Sequence, residues 1–248
     1  MGIFSKIFKK KKREKNSSGH FCSVIIPAAG TSSRMGGEDK LFMALGGMPV
    51  LIRTLLAVES SDKVDEIIVV ARSERIDEIA FLCQKWGINK VAKIISGGET
   101  RTESVHIGTF AVSKDADIIA VHDGARPLVT CSVIDAAIDA AIRFNAAAPA
   151  VPVKDTVKTA HGGVVTGTPD RKTLFAVQTP QAFNADIFKA AMENALKSEL
   201  ELTDDCMAVE AINVKVRLTE GSFGNIKITT PEDIPMAEAI LASGGYGA

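Results

Sequence analysis

Residues 24–40 read V-I-I-P-A-A-G-T-S-S-R-M-G-G-E-D-K, and the rest of the chain is organised around them. Val24-Ile25-Ile26 has the length of a buried strand. The run is expected to stop at Pro27, which cannot donate to a sheet ladder. Ala28, Ala29 and Gly30 carry almost no side chain. A backbone built from them approaches a ligand closely and turns its N–H groups inward as an anion-binding nest. Thr31, Ser32 and Ser33 add hydroxyls, and Arg34 and Lys40 bring two cations to the same loop. Amides, hydroxyls and cations beyond a buried strand suit a polyphosphate.

Two phosphate loops are excluded. The stretch has no G-x-x-x-x-G-K-[ST], so it is not a P-loop. It has no G-x-G-x-x-G after the strand, which leaves a dinucleotide fold poorly supported. It resembles the A-A-G-x-x-x-R-M-G loop of nucleotidyltransferases that load a sugar or polyol phosphate onto a nucleotide. The alternative is a Gly-rich turn with chance charges.

Working outward, the apolar runs Val24–Ile26, Ile67–Ala71, Val91–Ile95, Ile118–His122 and Ala150–Val153 read as strands. Helical patterns separate them at Val50–Glu59, Glu74–Trp86, Thr102–Val112 and Ser132–Phe144. Short apolar strands alternating with helices imply an α/β, Rossmann-like fold, a mostly parallel sheet with helices on both faces. Ligands bind such sheets beyond the carboxyl ends of the strands. The loops after Ile26, Ile95 and Val121 therefore share one rim.

After Val153 the alternation breaks. Asp155–Thr159 and Val164–Thr168 read as the strands of a projecting β-hairpin arm, at about residues 155–171, with His161-Gly162-Gly163 as its turn. Leu174–Val177 returns to the body. Helices are expected at Ala185–Leu196 and Asp204–Ala211, and strands at Val214–Leu218 and Asn225–Ile228. A terminal helix starts at Thr230-Pro231-Glu232-Asp233, with Thr230 as N-cap.

The 248 residues are 46% hydrophobic, enough for a sizeable core, and the net charge is −1. That balance hides an asymmetry: residues 1–20 hold seven Lys and Arg against Glu14, net +6, leaving −7 for the remainder. In this tail Ile3, Phe4, Ile7 and Phe8 fall on one face of a helix ahead of the lysine block. It reads either as a disordered basic tail or as a foot, over residues 1–15, on an anionic membrane surface. No apolar run approaches the roughly 18 residues of a membrane span. Cys22, Cys83, Cys131 and Cys206 lack C-x-x-C spacing, so neither a zinc site nor a disulfide framework is indicated, and a reducing cytoplasm fits. Aromatics are 5%, which argues against base-stacking platforms for nucleic acid.

Two further loops carry candidate chemistry. Ser96-Gly97-Gly98-Glu99-Thr100-Arg101-Thr102-Glu103-Ser104 reads as a nucleobase loop or as a turn with a helix cap. In Val121-His122-Asp123-Gly124-Ala125-Arg126-Pro127, Asp123 and Arg126 suit a metal, a hydroxyl or a phosphate, or form an internal ion pair. His122 ends a buried strand and reads as structural.

With these loops in hand, the chain resembles the 2-C-methyl-D-erythritol 4-phosphate cytidylyltransferases of the non-mevalonate isoprenoid pathway, from about Ser23 to Ala242. The blocks are P-A-A-G-T-S-S-R-M-G, S-G-G-E-T-R-T-E-S-V, V-H-D-G-A-R-P, V-K-D-T-V-K, Q-T-P-Q-A-F, T-D-D and N-I-K-I-T-T-P-E-D, in that order. The chain departs from the pattern at Glu38-Asp39-Lys40-Leu41-Phe42, where many relatives have proline before the lysine and glutamine after it, and at Gly124, where alanine is frequent.

The resemblance implies transfer of CMP from CTP to the polyol phosphate, with Mg²⁺ bound through the CTP phosphates. It assigns Arg34 and Lys40 to transition-state stabilisation, and Arg171 and Lys227 to positioning the acceptor phosphate. It puts Asp123, Arg126, Thr156 and Thr203 around the acceptor, and Ala28, Ala29, Gly30, Gly98, Glu99 and Ser104 around the cytidine. It also implies a homodimer through the arm. The second domain of the fused pathway enzyme is expected to be absent. Rival readings are a ribitol 5-phosphate cytidylyltransferase and an idle nucleotide-binding module tethered to membrane by its tail. Outside the resemblance, Thr156 reads as a strand residue, Thr203-Asp204 as a helix cap, and Lys227 as a surface lysine.

Overall fold

The computed structural model describes the backbone of residues 5–7, and residues 19–30 and 39–244 in full. In chain order the elements are β1 (Ser5–Ile7), β2 (Cys22–Ala28), β3 (Ala44–Leu45), β4 (Met48–Pro49), α1 (Val50–Glu59), β5 (Glu66–Ala71), α2 (Ile76–Lys85), β6 (Val91–Ser96), α3 (Arg101–Ala111) and β7 (Ile118–Val121). There follow α4 (Cys131–Phe144), β8 (Ala146–Pro152), β9 (Thr159–His161), β10 (Val164–Gly167), β11 (Phe175–Val177), β12 (Gln181–Asn184), α5 (Ala185–Lys197), α6 (Cys206–Glu210), β13 (Arg217–Glu220) and α7 (Asp233–Ala242).

Among the described residues, one large sheet runs β1-β6-β5-β2-β7-β12-β8-β11, with β13 also paired to β8. β6, β5, β2 and β7 are parallel neighbours, with Ile25 opposite Ile68 on one side and Val121 on the other. β12 runs antiparallel to β7 and β8, so β8 and its parallel partner β13 point the same way as β7. The sheet is thus mostly parallel, as expected. Period-two alternation along β2 sends Val24 and Ile26 into the layer under α1, α2, α4 and α7, and Ile25 into the layer under α3, α5 and α6. In the second layer Phe183 of β12 stacks on Phe188 of α5, 4.5 Å between centroids.

Several boundaries differ from the sequence reading, for identifiable reasons. β2 continues through Pro27 to Ala28, paired with β5. Ile25 O accepts from His122 N, so the residues of β2 facing β7 are Ile25 and, two further on, Pro27. Pairing with β7 has ended by then, and the missing donor costs no ladder bond. β8 begins at Ala146 rather than Ala150, because its Ala-rich start is buried between β12 and β13 and tertiary context overrides weak strand propensity. β12 was not anticipated, and Q-A-F-N has little strand character. Asn225–Ile228 is not a strand. Its backbone is held instead by Ala125 O, which accepts from Ile228 N at 2.8 Å, and by Arg126, which donates to Asn225 O at 2.7 Å. α7 starts at Asp233, not at a Thr230 cap. The Asp233 carboxylate reaches back to the amides of Thr229 and Thr230.

The arm is present but shorter than expected. Its turn is made by Gly162 (φ 55) and Gly163 (φ 80), the positive-φ pair of a tight hairpin. Pairing stops at Thr159↔Gly167, since Pro169 cannot extend it and Asp155–Lys158 meet no partner strand among the described residues. At the other end, Ser5–Ile7 form an edge strand on β6 instead of a helical turn. Ile3, Phe4, Phe8 and the lysine block lie outside the described residues.

Candidate active site

The carboxyl ends of β2, β6 and β7 open into one cleft of about 270 Å³. One wall is Pro27–Gly30 leaving β2, and the facing wall is the loop from β6 into α3. Small residues are required here. A Cβ at Gly97 would stand 2.7 Å from Ser104 Oγ and 2.8 Å from Ala29 Cβ, and one at Gly98 would stand 2.6 Å from Glu103 Cβ. Thr100 and Glu103 form a capping box at the start of α3. Buried Ser104, one turn in, accepts from the Gly98 amide at 3.2 Å and so fixes the glycine loop.

Lys40 lines the same cleft. The unusual Asp39 beside it has a structural use. Its carboxylate pairs with Arg72 at the end of β5, its Oδ1 accepts from Leu41 N at 3.3 Å, and its carbonyl accepts from Phe42 N at 2.9 Å. The acid therefore pins the loop that presents Lys40.

On the other side of the cleft, Asp123 is ringed by cations. Lys227 Nζ lies 3.0 Å and Arg126 Nε 3.2 Å from its Oδ2, and Arg101 lies 3.9 Å from its Oδ1. Burial alone would raise the Asp123 pKa, but Lys227, Arg126 and Arg101 outweigh it and hold the carboxyl well below the usual carboxylate range. Arg101 is itself held by the buried Asp205, Nη1 to Oδ1 at 2.9 Å and Nη2 to Oδ2 at 2.6 Å. His122 beneath Asp123 is fully buried; its Nδ1 lies 3.0 Å from Thr179 Oγ1 and its Nε2 3.2 Å from Arg126 O. Burial lowers its pKa to about 4, so it is neutral at pH 7 and structural, as expected.

Of the anticipated site residues, Ala28, Ala29, Gly30, Lys40, Gly98, Glu99, Ser104, Asp123 and Lys227 line this one cleft. Arg126 stands behind Asp123, 12% exposed, with its donors directed to Asp123 and Asn225. Thr156 and Arg171 are exposed on the arm, and Arg171 donates to Lys154 O at 2.7 Å. Thr203 is exposed and its hydroxyl faces Met207 Sδ at 2.9 Å. None of these three lines the cleft of their own chain. Of the expected Thr203-Asp204 cap, Asp204 accepts from Met207 N at 3.1 Å, from one residue before the N-cap position, Asp205. Arg34 lies outside the described residues. Arg101 and Asp205 were not singled out from the sequence, although each sits inside a quoted block. Lys227 is 40% exposed but anchored to Asp123, so it is not an idle surface lysine.

The family model of 2-C-methyl-D-erythritol 4-phosphate cytidylyltransferase matches residues 22–243. Relatives of that name include one from Halalkalibacterium halodurans, 43% identical over 89% of this chain and 96% of its own length. Another, from Caldanaerobacter subterraneus, is 44% identical over 88% of this chain and 98% of its own. The 4-diphosphocytidyl-2C-methyl-D-erythritol synthase of Anaerococcus prevotii superposes with a TM-score of 0.81 at 35% identity, covering 90% of this chain and 99% of that one. The Thermus thermophilus cytidylyltransferase gives 0.72 at 31% identity, over 88% of this chain and 98% of that one. The chain belongs to the 2-C-methyl-D-erythritol 4-phosphate cytidylyltransferase family.

Proposed function

We infer that the chain transfers the cytidylyl group of CTP to 2-C-methyl-D-erythritol 4-phosphate, giving 4-diphosphocytidyl-2-C-methyl-D-erythritol and pyrophosphate, in non-mevalonate isoprenoid precursor synthesis. The observation that carries this is the single cleft joining the small-residue loop and Lys40 to the Asp123–Lys227 pair. An acceptor phosphate oxygen attacks the α-phosphorus of CTP, the new P–O bond forms, and the bond to the β-phosphate breaks. Negative charge grows on the α-phosphate and the leaving pyrophosphate. The chain's task is then positioning and cationic stabilisation, with no acid–base residue needed. In this reading Ala28–Gly30, Gly98, Glu99 and Ser104 hold the cytidine side. Lys40 and Arg34 meet the transferring phosphates, and Lys227 meets the acceptor phosphate.

Mg²⁺ fits as a companion of the nucleotide rather than as a guest of a protein cage. The described residues contain no group of three or more His, Cys, Asp and Glu placed to hold a metal. Asp123 is already compensated by three cations, so a divalent ion gains little there until phosphates bring their own charge. Bound with CTP, the ion would supply positive charge against the charge that develops on the phosphates.

A homodimer through the arm belongs to the same reading. The arm is exposed apart from half-buried Gly167 and Pro169, with Val164 69% and Val165 57% accessible, and Phe175 and Val177 at its root are also exposed. A two-stranded hairpin is marginal alone in water and needs a surface to lie on. A partner subunit supplies one, and Arg171 and Thr156 then serve the neighbour's cleft. No described helix is long and apolar enough to cross a membrane. We place the enzyme in the cytoplasm, with residues 1–15 making weak contact with anionic membrane.

The test is pyrophosphate release from CTP with each of two acceptors. Methylerythritol phosphate is expected to turn over faster than ribitol 5-phosphate. Equal or faster turnover of ribitol 5-phosphate overturns the acceptor, and no turnover of either overturns the enzyme reading in favour of a binding module.

A further inference from the structure

We propose that Arg101 contacts the acceptor substrate and that Asp205 is the positioning residue that aims it. The inference rests on the reaction just described and adds a cation to its acceptor side.

The geometry of the pair is lopsided. Asp205 is completely buried, and both its oxygens are taken by the guanidinium of Arg101. The Arg101 side chain is 33% exposed, and Arg101 is among the residues that line the cleft. A fork-to-fork pair uses one N–H of each terminal nitrogen and leaves the outward N–H groups and Nε available. Among the described residues no hydrogen bond uses them, and Asp123 Oδ1, at 3.9 Å from Nη2, is beyond hydrogen-bond reach. A buried ion pair is a poor stabilising device compared with apolar residues of the same volume. A pair closed on one side and open on the other is instead suited to presenting donors in a fixed direction.

The anchor is also rigidly built. Gln181 Oε1, on the first residue of β12, accepts from the amides of Asp205 at 2.9 Å and Cys206 at 3.0 Å. Gln181 Nε2 donates to Asp204 Oδ2 at 2.9 Å. The carboxylate that aims Arg101 is therefore tied to a central strand of the sheet.

Position decides which substrate is met. The cytidine wall is built from backbone, glycines and Ser104, whereas Arg101 turns toward Asp123, whose other cationic neighbours are Lys227 and Arg126. The ligand that fits between these groups is an anionic polyol, its phosphate and hydroxyls both able to accept from guanidinium.

The decisive variant is Arg101→Met/Asp205→Leu, which replaces the whole pair by apolar side chains. It is expected to melt within a few degrees of the parent and to bind CTP with nearly the parent Kd. The KM for the acceptor should rise about 10- to 100-fold, the range for loss of a charged hydrogen bond, with a fall in kcat. Asp205→Asn, which keeps the guanidinium but loosens its seat, should give a smaller rise in acceptor KM. Parent values of both acceptor KM and kcat in the double variant would overturn the proposal and make the pair structural. A loss confined to CTP affinity would overturn it too, by moving Arg101 to the nucleotide side. If the double variant does not fold, Arg101→Lys decides: the charge is kept, the fork is lost, and an unchanged acceptor KM refutes the contact. Turnover by the parent reports separately on the functional reading. Should the parent prefer another polyol phosphate, the same ratio is measured with that acceptor; should it turn over none, calorimetric binding of methylerythritol phosphate to parent and variant gives the ratio.

Discussion

Replacing Asp123 by Asn removes the charge on which three cations converge. Asn keeps one acceptor but turns an amide NH₂ toward either the Lys227 and Arg126 donors on Oδ2 or the Arg101 side on Oδ1. Removing one partner of a buried ion pair costs about 3–5 kcal/mol. The surroundings lower that figure here. Lys227 is 40% exposed and can turn to water, Arg126 keeps Asn225 O, and Arg101 keeps Asp205. A loss of about 2–3 kcal/mol remains, roughly 5–10 °C in melting temperature for a domain of this size. The pH dependence has a definite sign. A carboxyl with a depressed folded pKa contributes its full stability above the unfolded value near 3.9 and gives it up as pH falls toward the folded value. Calorimetric melting of parent and Asp123→Asn across pH 7 to 3 should show a constant gap above about pH 5 that narrows on further acidification. A gap under about 2 °C at pH 7, or one that widens in acid, would refute the view that Asp123 organises these cations.

Lys40→Ala, and equally Arg34→Ala, should lower kcat about 10²-fold or more, the usual loss of one transition-state donor, with near-parental folding; a pure KM effect would make them ground-state binders. Inactive Arg171→Ala and Lys40→Ala chains, mixed and allowed to exchange subunits, should regain part of the activity, and none recovered after proven exchange would return Arg171 to its own subunit's site. Deleting residues 1–20 should leave kcat unchanged and abolish co-sedimentation with anionic vesicles; a parent that fails to bind such vesicles at low salt refutes the membrane contact. His122, with its folded pKa lowered to about 4 against about 6.5 unfolded, contributes stability that is present above pH 6.5 and lost as pH falls toward 4. His122→Gln should flatten urea-denaturation stability over that window, and an unaltered slope would refute the assignment.

The sequence reading recovered what local chemistry encodes. V-L-I-R-T-L-L-A-V-E became α1 at its expected ends, and the apolar runs of β5, β6 and β7 became buried parallel strands. The glycine pair of the loop after β6 was readable for the same reason, since a side chain at Gly97 or Gly98 has no room. What failed depends on partners distant in the chain. β12 forms because β7 and β8 hold it from both sides, not because Q-A-F-N prefers to be extended. Asn225–Ile228 looks like a strand yet is fastened by Arg126 and Ala125. Arg101 and Asp205 are 104 residues apart, and no spacing rule joins them. The paired acids of T-D-D were the available signal, and they could not name their cation.

The polarity of β12 bears on where this chain tolerates a change of length. A strand running against its neighbours presents its first residue at the rim where they present their last, and Gln181 stands opposite Val121, two residues before Asp123. Through Gln181 that one end holds the turn at Asp204–Cys206, and through Thr179, just before it, the amide of Asp123. An added or deleted residue between β11 and β12 would slip both attachments together and misalign opposite walls of the cleft at once. The same edit after α5, where Ser198, Glu199 and Leu200 are exposed, disturbs neither attachment. Length variation compatible with activity is thus confined to segments that do not feed the amino end of β12, however short and featureless Q-A-F-N looks on the page.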